Sequence, residues 1–119
     1  MKIYDLEERL IEFSVMILNV TESLPSNLGA RHLGGQLARS GTSPALNYGE
    51  VQAAVSKADF IHRMGVCLKE LRESSINLRI IKKKGYLNNP LIDDTLTECQ
   101  ELVRIFNKSI QTAKSRNAA

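Results

Sequence analysis

Arg39, Ser43, Asn47 and Glu50 follow one another at spacings of four, four and three. A helix would bring all four polar side chains onto one face. Such a set could hold a small ligand, or form a satisfied hydrogen-bond network that fixes helix packing. The stretch that carries them, Gln36 to Val51, also puts Ser40, Pro44 and Asn47 where its own periodicity demands core residues. A buried polar group without a partner costs about 1–3 kcal/mol, so each of these needs one. The expected partners are the backbone freed near Pro44, hydroxyls of neighbouring helices, and Lys69 and Glu70 further along. Arg39, Ser40, Ser43, Pro44, Asn47, Glu50, Lys69 and Glu70 are therefore read as one polar cluster with a structural role.

Other chemistry finds less support. His32 and His62 are the only histidines and fall in different helical segments. Zinc would need both of them and a cysteine to converge, and Cys67 and Cys99 occupy core-like positions. The paired Glu-x-x-His motifs of a di-iron bundle are absent. Nothing resembles a nucleophile elbow or a phosphate-binding loop, and Gly34-Gly35 is too short to cradle phosphate. No catalytic residue, metal or cofactor is expected, and the chain is read as a non-enzyme.

Charge is distributed unevenly. The formal net charge is only +3, too small to demand a nucleic-acid partner. Between Lys57 and Lys84, however, eight cations (Lys57, Arg63, Lys69, Arg72, Arg79, Lys82, Lys83 and Lys84) face only Asp59, Glu70 and Glu73. The first 24 residues run the other way, with Asp5, Glu7, Glu8, Glu12 and Glu22 against Lys2 and Arg9. The basic set Lys57, Arg63, Arg72, Arg79, Lys82, Lys83 and Lys84 is a candidate for RNA or DNA phosphates, and repetition in an oligomer would multiply it. Phe60 is the one Phe, Tyr or Trp between Lys57 and Lys84, too few to stack successive bases, so little sequence preference is expected.

The elements that must position these residues are helical throughout. Leu6, Leu10, Phe13, Ile17, Val20 and Leu24 step by four and three, the stripe of an amphipathic helix packed at bundle angles. Leu33, Leu37, Ser40, Pro44, Asn47, Val51 and Ala54 repeat the spacing with a polar, proline-bearing middle. Proline removes a hydrogen bond and clashes with the carbonyl four residues back, here that of Ser40. A kink around residues 40–43 is expected, with Ser40 or Thr42 bonding freed backbone and Gly41 permitting close approach. Ser56 and Asp59 form a variant capping box. The third stripe is Ile61, Met64, Leu68, Leu71, Ser75 and Leu78, closed by Lys82-Lys83-Lys84-Gly85. The fourth is Ile92, Leu96, Cys99, Val103, Phe106, Ile110 and Ala113, introduced by Asn88-Asn89-Pro90.

These readings give an all-α, antiparallel up-down-up-down four-helix bundle with a proline-kinked second helix. At 119 residues the chain is read as a single domain (1–119), with helices at about 4–24, 29–54, 57–84 and 91–114 and fraying from Lys114. Hydrophobic residues make up 43% and charged residues 24%, ordinary for a soluble globular protein. No apolar run is long enough for a membrane span. An acidic pair near the N-terminus argues against a signal peptide, and two cysteines make no disulfide framework, so a cytoplasmic location is expected.

Gln36, Arg39-Ser40, Ser43-Pro44, Asn47 and Glu50, followed by Phe60 and Leu68-Lys69-Glu70-Leu71, resemble the signature of a bacterial four-helix-bundle family. Its members are encoded in intervening sequences of large-subunit ribosomal RNA genes and at other bacterial loci. A distant branch includes the accessory variability protein of diversity-generating retroelements. The similarity runs from about Leu6 to Phe106 and is sharpest in the second helix, while the tryptophan many members carry near Leu10 is missing. The resemblance implies a small cytoplasmic protein that assembles as a homo-oligomeric ring, in its implied form a homopentamer, and the chain is read as an interaction scaffold. In the retroelement relatives such a ring holds a reverse transcriptase and its RNA. The partners expected are further copies of the chain and, from the basic third helix, RNA, DNA or a nucleic-acid-handling protein. Ile11 and Leu18, which have no place in a lone core, and the small residues Ala30, Ala38 and Ala45 are the expected subunit contacts.

Overall fold

The computed structural model describes residues 5–116 and shows four helices: α1 (Leu6–Glu22), α2 (Leu28–Gln52), α3 (Lys57–Lys84) and α4 (Pro90–Ser115). No strand occurs among the described residues. The expected start of α1 at residue 4 lies outside them, as does most of the fraying expected after Lys114; α4 stays helical to Ser115.

Each helix starts on a side chain that accepts from an otherwise orphaned backbone N–H. Asp5 Oδ1 accepts from Glu8 N at 3.0 Å, Asn27 Oδ1 from Ala30 N at 2.9 Å, and Ser56 Oγ from Asp59 N at 3.0 Å. Asn89 Oδ1 caps α4, with Pro90 at the first helical position. The Ser56 cap closes one residue further out than a standard box, because Asp59 accepts from Val55 N rather than from Ser56 N. That backbone bond, with Arg63 beside it, holds the Asp59 carboxyl below its usual range. At the far end of α3, Gly85 takes φ +83°, and the N–H groups of Gly85 and Tyr86 both return to Ile81 O at 3.1 Å. Only glycine adopts that left-handed conformation without strain.

Consecutive helices pack side by side and α1 closes the square against α4, while the diagonal pairs stay apart in backbone and approach only through core side chains, as Tyr48 of α2 does Phe106 of α4. Connections of a few residues allow no other neighbour. The molecule measures 53 × 30 × 21 Å. One core fills it, from Leu10, Phe13 and Ile17 through Leu37, Met64, Leu71 and Leu78 to Leu102 and Phe106. Arg9 clamps the α1–α4 seam with a two-pronged contact to Glu98, Nε to Oε2 at 2.6 Å and Nη2 to Oε1 at 2.9 Å.

Cys67 and Cys99 are free and wholly buried, with Sγ of Cys99 3.2 Å from Leu71 O. Burial first, then a neighbouring glutamate, pushes the Cys67 thiol up to about 11 and that of Cys99 to about 12, from 9.0. The folded chain therefore keeps these protons where the unfolded chain has released them. Their contribution to stability is intact below about pH 9 and is lost as pH rises toward 11 and 12. A urea midpoint that falls across that window, and falls less in Cys67→Ala/Cys99→Ala, is expected. Equal alkaline losses in both proteins would remove the thiols as the cause.

Candidate interaction surface

α2 runs through Pro44 as one uninterrupted helix, so the proline does not split the element in two. Thr42 does bond backbone, but its Oγ1 donates to Ala38 O at 2.7 Å and not to the Ser40 carbonyl that Pro44 leaves free. Gly41 provides the close approach its type suggests, facing Ile17 of α1.

The polar cluster divides into separate pairs. Ser40 and Ser74 are both buried, with their Oγ atoms 2.8 Å apart. Ser74 donates to Glu70 O at 3.0 Å, so Ser40 is the donor between the two hydroxyls. Asn47 Nδ2 donates to Ser43 Oγ at 2.8 Å, one turn back on its own helix rather than to the freed carbonyl. Arg39 lies on the surface and bridges Glu70 at 3.1 Å and Glu73 at 3.2 Å. The hydrogen bonds it donates to Glu73 and Glu70 hold its guanidinium in the charged form. Glu50 is exposed and pairs with Arg63 at 3.0 Å. Pro44 is buried against the core and Lys69 is exposed.

The buried Ser40–Ser74 pair makes a distinct prediction. Ser74→Ala leaves the Ser40 hydroxyl without its acceptor and is expected to cost about 1–3 kcal/mol. The double variant Ser40→Ala/Ser74→Ala removes both demands and should be less destabilised than Ser74→Ala alone. Urea unfolding of the set checks this; a double variant worse than the single would show that the pair contributes net stability.

Three buried polar side chains escaped the sequence reading: Ser74 and Asn77 on α3, and Thr95 on α4, whose Oγ1 donates to Leu91 O at 2.7 Å. Ser74 is buried where Ser75 was assigned to the core stripe, and Asn77 lies beside it, 7% exposed, with Nδ2 on Leu33 O at 3.1 Å. Both belong to the face of α3 that meets α2. The signal was there in Ser40, since a hydroxyl forced into a core asks for a polar partner across the interface.

The basic candidates are scattered. Lys57 Nζ is buried at the start of α3 without a hydrogen-bond partner. Arg63 is engaged with Glu50 and Asp59, and Lys82 with Asp93 at 2.6 Å. Arg72, Arg79, Lys83 and Lys84 are exposed. His32 and His62 lie exposed on α2 and α3. Among the described residues, no group of three or more His, Cys, Asp or Glu gathers as a metal site would require. No helix among the described residues is long and apolar enough to cross a membrane.

The outer faces carry more unusual chemistry than the interior. Large apolar side chains stand exposed on α1 (Ile11, Val15 and Leu18) and on α3 (Val66, Ile76 and Ile80). Ala30, in contrast, is fully buried and unavailable for the subunit contact expected of it, while Ala38 and Ala45 are half-buried. A groove of about 550 Å³ runs between α3 and α4, lined by Ile76, Ile80, Leu96, Arg79, Lys82 and Lys83.

An all-helical bundle whose distinctive features lie on its outer faces is the class that fold and surface define together. The chain belongs to the 23S rRNA-intervening sequence protein family, whose model matches residues 4–108. It is also similar to the crystal structure of a protein with unknown function from the S23 ribosomal protein family of Bacteroides thetaiotaomicron VPI-5482, with a TM-score of 0.79 and 27% identity over 88% of this chain and 94% of that one. No curated protein matches the chain.

Proposed function

We propose that this chain is a non-catalytic, homo-oligomeric interaction scaffold, assembled as the pentameric ring that the family resemblance implies, in the cytoplasm. The observation that carries this reading is the exposed apolar residues on α1 and α3, outside the bundle core. Such side chains recurring along one helix face are a mark of a surface meant to be covered. Light scattering at micromolar concentration tests it: a stable oligomer supports the scaffold, and a monodisperse monomer overturns it.

A second reading is a ring that binds RNA or DNA through its backbone charge. It is favoured by the exposed cations Arg72, Arg79, Lys83 and Lys84 on α3. Binding of a mixed RNA and DNA pool should then fall steeply with salt, because each phosphate contact releases counterions. An oligomer that ignores the pool at low salt would leave protein partners as the cargo.

A further inference from the structure

We propose that the outer face of α3 receives α1 of a second copy of this chain, in a head-to-tail contact; the proposal rests on the oligomeric reading above. On α1, Ile11, Val15 and Leu18 are 44%, 52% and 40% exposed and recur at four and three, opposite the buried stripe Leu10, Phe13, Ile17 and Val20. On α3, Ile76 and Ile80 are 52% and 46% exposed and form one wall of the α3–α4 groove, with Leu96 across from them. Both patches are therefore apolar ridges or troughs on a helical surface that the monomer leaves uncovered.

Their charged borders are of opposite sign. The exposed ionisable residues of α1 are Glu7, Glu8, Glu12 and Glu22, all acidic. From Val66 to Lys83 the exposed ionisable residues of α3 are Lys69, Arg72, Arg79, Lys82 and Lys83 against Glu73 alone; Glu73 is already held by Arg39 and Lys82 by Asp93, which leaves Lys69, Arg72, Arg79 and Lys83. Pairing α1 with α1 would bring carboxylates together, and pairing α3 with α3 would bring cations together. Like-charge juxtaposition disfavours both. Pairing α1 with α3 satisfies the apolar and the charged residues at once.

The topology then fixes the kind of assembly. α1 and α3 sit on a diagonal of the bundle, with no close backbone approach, so their outer faces point in opposite directions. A copy docked on α3 presents its own α3 on the far side. Such a heterologous contact either closes into a ring or continues as a filament. Arg72, Arg79 and Lys83 would serve the subunit contact and be withdrawn from nucleic acid.

The test uses Val15→Glu and Ile76→Glu in the full chain, each checked for native helicity by circular dichroism. Each variant is expected to run as a monomer by light scattering at a concentration where the wild type assembles. Mixed in equal amounts, they should form heterodimers and nothing larger, because one retains an intact α3 face and the other an intact α1 face. Wild-type assembly in either variant, or no association on mixing, overturns the face assignment. Ile11→Glu and Ile80→Glu repeat the test if a first variant loses helicity. A wild-type monomer overturns the oligomeric reading itself, so the two failures are distinguishable. If Ile76→Glu assembles normally but no longer binds an RNA pool, the α3 face serves phosphate and the proposal falls.

Discussion

Phe106→Ala is expected to destabilise the fold by about 3–5 kcal/mol, a large part of the stability of a domain this size. Phe106 is fully buried, and the Tyr48 ring stands edge-on to it, 6.2 Å between centroids at 70°. The chain has three phenylalanines and no tryptophan, so its core is built mostly from aliphatic side chains of fixed shape. Truncation removes both the transfer term and the edge-to-face contact, and leaves a cavity that rigid helices close only in part. Phe106→Leu keeps most of the volume and should cost less than half as much. Urea unfolding separates the cases: the midpoint should fall in the order wild type, Phe106→Leu, Phe106→Ala, with an unchanged slope. A loss below about 1 kcal/mol for Phe106→Ala would mean that the bundle collapses onto the space, contrary to interior packing.

Much of this core was legible in the sequence because three of the four stripes repeat with hardly a polar interruption. Leu10, Phe13, Ile17 and Val20 are buried as their spacing requires, and so are Met64, Leu71, Leu78, Ile92, Cys99 and Phe106. The errors lie where steps of three and four are both open. After Leu71 the helix can reach Leu78 through Ser74 or through Ser75, and after Cys99 it can reach Phe106 through Leu102 or Val103. Periodicity alone does not choose, since 3.6 residues per turn lies between the two steps. The neighbours choose: Ser74 is buried because Ser40 needs an acceptor, and Leu102 is buried where Val103 is only half-buried. The polar cluster was legible as residue types but not as partners. Its members were expected to meet in one network, yet Arg39 reaches across to α3, Asn47 turns back to Ser43, and Glu50 pairs with Arg63. Pairing between helices depends on their rotation, which the spacing within one helix does not encode. The exposed apolar face of α1 was foreseen from Ile11 and Leu18, whereas Ile76 and Ile80 were hidden by the charges around them.

Gly41→Val is expected to cost about 3 kcal/mol, near the upper end for overpacking a well-filled core. On local grounds glycine in the middle of a helix is a defect, and replacing it by alanine should gain about 1 kcal/mol. The tertiary contact reverses that sign. A Cβ at position 41 would lie 2.6 Å from both Cγ1 and Cγ2 of Ile17 and 2.8 Å from its Cδ1. The two Cγ atoms hang on a branched carbon with a stiff χ1, and Ile17 is fully buried, so the side chain cannot swing aside. Gly41→Ala should therefore be destabilising despite its better helix propensity, and Gly41→Val more so. The clash also predicts its own relief. Ile17→Ala alone should cost about 2–5 kcal/mol by opening a cavity. Combined with Gly41→Val, the new methyl groups occupy that space, and the double variant should fall short of the sum of the single losses by about 1 kcal/mol or more. Strict additivity in urea unfolding would show that α1 and α2 separate as bodies to admit the side chain. The narrow α1–α2 approach would then be a preference of the wild-type pair and not a constraint of the fold.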